Sequence, residues 1–327
     1  MRLSRYLLVE MGLSTACLLV AGSLAACSAG PAPPPPGKSS TPQTTSRESS
    51  SYVQPGSVGY RGDPAALTLL TKDRPLPHEL GDCAWKDYGL RCDTKDLTLD
   101  RVHLQGGLYW TGAGTLTITD SVVEGGAAWY VVNAVSATPS TIRVEDSTLS
   151  WPRSIPYPQG YDVGVVNDGS GVGSTMLLHR VDISGMPQGI DPSGDGSVID
   201  SCHIHDLLAS GDIESGTNMH VDGIFSQGGD HITITNNYID IPVKLNRWAT
   251  ASVFFQSTGP TKGHKVIGNY LGGGAYSYRN ETARDVEVRD NTFSGTASFG
   301  DALVTAPATT AAWSGNRRID GTQVPRP

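Results

Sequence analysis

From about residue 95 one short phrase keeps returning: a run of alternating apolar and β-prone residues, then Asp or Asn beside a small or amide residue, then an apolar residue. Leu116-Thr117-Ile118-Thr119-Asp120-Ser121-Val122 and Ile232-Thr233-Ile234-Thr235-Asn236-Asn237-Tyr238-Ile239 are two of its copies. With Arg101, Ser121, Ser147, Arg180, Ser201, Asn237, Asn269, Asn291 and Asn316 taken as equivalent, the steps are 20, 26, 33, 21, 36, 32, 22 and 25 residues. A short minimum step with longer exceptions marks a solenoid with loops inserted into some turns. Alternation at period two followed by a turn former makes each copy a strand. Further strand-like runs follow in most repeats, such as Asp222-Gly223-Ile224-Phe225 and Ala251-Ser252-Val253-Phe254-Phe255. Several short strands per turn of about 22 residues, with no helical run between them, predict an all-β, single-stranded parallel β-helix. About nine coils spaced about 4.8 Å apart would make a rod roughly 40 Å long. Asn237, Asn269, Asn291 and Asn316 are placed to bond amide to amide from coil to coil, with the left-handed turn conformation that Asn tolerates.

Composition agrees with this reading. Charged residues are 17% of the chain, against about 25% in ordinary globular proteins, which leaves too few to cover helical solvent faces. The net charge of −8 makes a nucleic-acid partner unexpected. The expected state is a monomer.

The N-terminus reads as an address. Arg2 and Arg5 precede an apolar run, Met11 to Ala26, which ends Leu24-Ala25-Ala26-Cys27. The run is short for a membrane span, and small residues precede the cysteine. It resembles a bacterial lipoprotein signal, which implies cleavage of residues 1–26, lipid on Cys27 and an outward-facing place in the cell envelope. Residues 27–57 are rich in Pro, Ser and Thr without apolar periodicity, as a disordered tether is. Residues 58–94 form the expected N-terminal cap, where Cys83 and Cys92 are close enough to form a disulfide in an oxidising compartment. The β-helix then occupies 95–327, with Cys202 as a buried structural thiol.

The stretch Asp222-Gly223-Ile224-Phe225-Ser226-Gln227-Gly228-Gly229-Asp230-His231-Ile232-Thr233-Ile234-Thr235-Asn236-Asn237 resembles the pectate-lyase-like superfamily of right-handed parallel β-helix proteins. That resemblance implies a polysaccharide ligand, an acidic one among the alternatives, and either lyase or hydrolase chemistry. The alternative is a non-catalytic glycan-binding or adhesion protein on the same fold. The long steps, spanning about residues 147–269, are expected to build the working face.

Three constellations are candidates for chemistry. His220 and Asp222 share one strand face and could act as an acid–base pair. Asp191 and Asp195 lie one coil earlier, and with Asp222 could hold calcium (Ca2+), since close carboxylates repel unless a cation neutralises them. Arg247 and Arg279 could neutralise a uronate carboxylate or act as base. Lys244, Trp248, Tyr278, Gln227 and Gln256 would contact sugar, with Gln227, Gln256 and Arg279 in register along neighbouring coils. His203 and His205 stand two apart beside Asp206, a metal-like spacing, but with no further ligand evident they read as structural.

Overall fold

The coils form because every phrase ends in a sharp corner. The computed structural model describes residues 51–86, 89–125, 130–152, 164–168, 173–209, 221–245 and 249–327. Within them the chain visits three sheets in rotation: Thr115–Thr119 lies in sheet C, Val122–Glu124 in sheet A and Tyr130–Ala134 in sheet B, and the next coil starts again in C. Among the described residues sheets A and B hold ten strands each and sheet C nine, which is a parallel β-helix with the expected coil number. Outside the cap each strand pairs in parallel with its counterpart one coil on, as Thr141–Glu145 does with Thr175–His179.

The C-to-A corner sits where the phrase predicts it, one residue off the expected equivalence. Arg101, Asp120, Asp146, Arg180, Ser201, Asn236, Gly268, Asp290 and Gly315 all take positive φ. The residues after them turn inward: Ser121, Ser147, Cys202, Asn237, Asn269, Asn291 and Asn316 are buried. Arg101, Arg180 and Ser201 therefore belong with the left-handed residues, whereas the expected alignment grouped them with the inward ladder.

The asparagines form the expected ladder. Asn237 Nδ2 donates to Asn269 Oδ1 (2.9 Å), Asn269 Nδ2 to Asn291 Oδ1 (3.0 Å), and Asn291 Nδ2 to Asn316 Oδ1 (3.0 Å). Each Oδ1 also accepts the preceding Asn backbone N–H, so one amide satisfies two buried donors. Beside it runs an apolar ladder in which Val144, Leu178, Ile199 and Ile234 stack in register, all fully enclosed.

The cap is built on sheets A and B. Thr68–Leu70 extends sheet A, and Cys83–Lys86 pairs antiparallel with Gly89–Cys92 at the end of sheet B. This places Cys83 opposite Cys92, and their disulfide is formed. Cys202 is the buried free thiol expected, pushed up to about 12 by burial. Closing a loop of about ten residues should contribute about 2–3 kcal/mol, so Cys83→Ser/Cys92→Ser should lose that much in urea unfolding without losing the fold.

Residues 51–60 cross the outside of sheet A. Ser51 Oγ donates to Gly268 O, Val53 N to Asn236 O and Gly59 N to Arg180 O, and Tyr60 N donates to Thr148 Oγ1. Contacts with the solenoid thus begin before the expected tether boundary at residue 57. The signal segment, Cys27 and the tether up to residue 50 lie outside the described residues.

Candidate functional site

The three longest connections of the coils all enter one sheet. Thirteen residues separate Thr148–Ser150 in sheet A from Gly164–Asp168 in sheet B, sixteen separate His203–His205 from Asp222–Ser226, and ten separate Tyr238–Asp240 from Ala251–Phe255. By contrast Gln188–Asp191 and Tyr276–Asn280 are each reached in three. Insertions collected at one edge single out the outer face of sheet B.

That face carries rows running across the coils. Phe225, Phe254 and Arg279 stand in register; the two rings stack at 5.2 Å and the Arg279 guanidinium lies 4.9 Å over Phe254. Asp191 is the next rung of this row and is buried. A second row holds Gln188, Asp222, Ala251, Tyr276 and Gly300. At its open end the Tyr276 and Phe299 rings are 6.1 Å apart, and Phe299 is 68% exposed. Phe299 N donates to Ala275 O, which holds that ring's backbone against the previous coil. Further along the strand from these rings, Glu281 accepts from Arg279 Nε (2.8 Å) and from Gln256 Nε2 (2.9 Å). The face thus carries an aromatic pair at Tyr276 and Phe299 and, roughly 10–17 Å further along the strand, a guanidinium, a carboxylate and an amide.

Several expected site residues are placed differently. Asp222 is fully enclosed, and its Oδ1 accepts the Ala251 backbone N–H at 3.0 Å across to the next coil. Gly223 faces inward, where a Cβ would meet Ile239 Cγ2 at 2.3 Å and Ser252 O at 2.5 Å. Asp195 caps the B-to-C corner: its Oδ1 accepts Asp230 N at 2.7 Å, and Asp230 Oδ1 in turn accepts Lys262 N. Asp191 and Asp222 stand on adjacent strands three residues out of register, about 10 Å along the strand. Asp191, Asp195 and Asp222 therefore share no calcium site. Tyr278 is a core residue in register with Val253, and burial raises its hydroxyl. Arg279 pairs with Phe254, while Gln256 lies two positions further on, so the expected row of Gln227, Gln256 and Arg279 is slipped. Gln227, Gln256 and Lys244 are exposed. His220, Arg247 and Trp248 lie outside the described residues.

A second cluster sits on sheet A and was only half read from sequence. Asp182 is in register with His203 one coil on. Its Oδ1 is 2.9 Å from His203 Nδ1 and 3.2 Å from His205 Nε2, and the two imidazoles stack at 3.9 Å. Burial alone would raise the Asp182 carboxyl, but hydrogen bonds from both imidazoles hold it down at about 2. Burial works to lower His205 as well, yet Asp182 raises it. Among the described residues this is the one group of three His, Cys, Asp or Glu side chains whose ligand atoms all lie within 4.8 Å of one another. The signal was in the phrase: Asp182 and His203 each stand two residues after a left-handed corner, Arg180 and Ser201.

No family model, curated protein or solved structure matches this chain. Its assignment as a parallel β-helix rests on its own strand order and register.

Proposed function

We propose that this is a lipid-anchored, outward-facing β-helix protein that binds a polysaccharide along the outer face of sheet B. The observation that carries the reading is the Tyr276–Phe299 ring pair, with Arg279, Glu281 and Gln256 further along the same face, on the sheet that the three longest connections of the coils enter. Aromatic rings with a polar rim fit the apolar faces and hydroxyl edges of sugars. Arg279 offers a bidentate partner for a uronate carboxylate, although Glu281 must yield it. Binding without turnover is the better supported form, because Asp222 is committed to a backbone N–H and stands apart from Asp191.

Affinity electrophoresis of the purified chain in gels holding uronate or neutral polysaccharides tests this. Retardation by at least one uronate polymer, with no unsaturated products or new reducing ends, is expected. Migration unaffected by every polymer would reject the reading. The anchor has its own test: Cys27→Ser should release the protein from membranes and abolish labelling by radioactive fatty acid. Label still entering the variant would reject lipidation at Cys27.

A further inference from the structure

The cluster on sheet A is separate from the sheet B face and does not rest on the glycan reading. We propose that Asp182, His203 and His205 form a binding site for a divalent transition ion of the zinc type, with a fourth position open to the outside.

The donor set argues for this class of ion. Two imidazoles and one carboxylate suit zinc and its neighbours, whereas calcium and magnesium take oxygen ligands. Three protein ligands with one open position is the arrangement of reactive rather than purely structural zinc. The spacing also fits. Zinc bonds of about 2.0–2.1 Å require neighbouring donor atoms a little over 3 Å apart. Asp182 Oδ1 is already 2.9 and 3.2 Å from the two nitrogens. In the metal-free arrangement those nitrogens donate to Asp182. On binding, His203 would carry its proton on Nε2 and His205 on Nδ1, leaving both facing nitrogens with a lone pair for the ion.

The surroundings support that tautomer. His205 Nδ1 lies 3.1 Å from Asp206 Oδ2, so the proton displaced to Nδ1 has a carboxylate waiting for it. Such an outer carboxylate orients a metal-bound imidazole and strengthens it as a ligand. Asp240 occupies the rung beside His205, and a Cβ at the next rung, Gly272, would come within 2.4 Å of its Oδ1. Glycine there leaves room for a second carboxylate at the rim. One rearrangement is required. The imidazole planes are now only 12° apart, so the rings must fan about χ2 until both planes contain the ion. His205 and Asp182 are partly exposed, which gives the ion a way in.

The test uses the purified full chain stripped with a chelator and titrated with Co2+ and Zn2+. One saturable ion per chain is expected, with the visible band of four-coordinate cobalt and no thiolate charge-transfer band, which separates this site from Cys17, Cys27 or Cys202. His205→Gln and Asp182→Asn should each remove the saturable ion while circular dichroism in chelator stays unchanged. Asp206→Asn, a positioning residue, should weaken it about 10- to 100-fold. If His205→Gln fails to fold, the Asp206→Asn affinity decides the question. Absence of a saturable ion, undiminished binding in the variants, or a thiolate band would each overturn the proposal.

Discussion

Asn269→Ala should lower the free energy of unfolding by about 3–5 kcal/mol, one of the two largest effects expected in the molecule. Asn269 Oδ1 accepts both the backbone N–H and the side-chain N–H of Asn237, each at 2.9 Å, while its own Nδ2 donates to Ile234 O and Asn291 Oδ1. Ala removes the acceptor from two donors in a site closed to solvent. Each buried donor left unmade costs about 1–3 kcal/mol. Asn269→Asp should fare no better, because a carboxylate oxygen would then face Asn291 Oδ1 in place of an N–H. Asn316→Ala, at the end of the ladder, orphans the same kinds of donor on Asn291 but has no fifth asparagine beyond it, and should cost less. Chemical unfolding of the three variants checks the order. A loss below about 1 kcal/mol at Asn269 would mean that water takes over the ladder.

The second large effect is with pH. His264 is fully enclosed, stacks on Phe255 at 4.6 Å and accepts Ile232 N at Nδ1 (3.1 Å), so its proton sits on Nε2 facing Thr261 Oγ1. Burial is the main cause that pushes its imidazole down to about 4 from 6.5. A group whose folded value is depressed stabilises the fold fully above its unfolded value. That contribution is lost as pH falls from about 6.5 through about 4. The difference of about 2.5 units corresponds to about 3 kcal/mol. Protonated Nδ1 would also set N–H against the Ile232 N–H. Unfolding free energies at pH 7 and pH 4.5 should therefore fall more for the natural chain than for His264→Gln. A His264 imidazole resonance titrating near 6.5 in the folded state would contradict this.

Strands and the inward asparagine ladder were legible in the sequence because period-two alternation and repeated Asn pairs report directly on burial and corner geometry. Exact register was harder. Left-handed corners accept Arg101, Arg180 and Ser201 as readily as Asp120, so residue type alone does not separate the corner from the rung after it. A slip of this kind moves a residue between faces, and each long insertion makes the slip easier. Tyr278 read as a sugar contact, yet its rung is that of Val253 and Ile224, which points inward. Asp222 read as a ligand-facing acid beside His220. The structure instead gives Asp222 a backbone N–H to hold and Gly223 a crowded inner wall to fit. Phe299 carried no motif, since a single exposed aromatic is recognisable only when its neighbour across the coil, Tyr276, is known.

If the open end of sheet B is the binding face, binding and stability should separate in Phe299→Ala and Tyr276→Ala. Phe299 is exposed, so its loss should move the unfolding free energy by no more than about 0.5 kcal/mol. If its ring stacks on sugar, affinity for the retarding polysaccharide should fall about tenfold, and Tyr276→Ala should reduce it by at least as much. Unchanged affinity in both variants, with the fold intact, would place the ligand away from this end of sheet B.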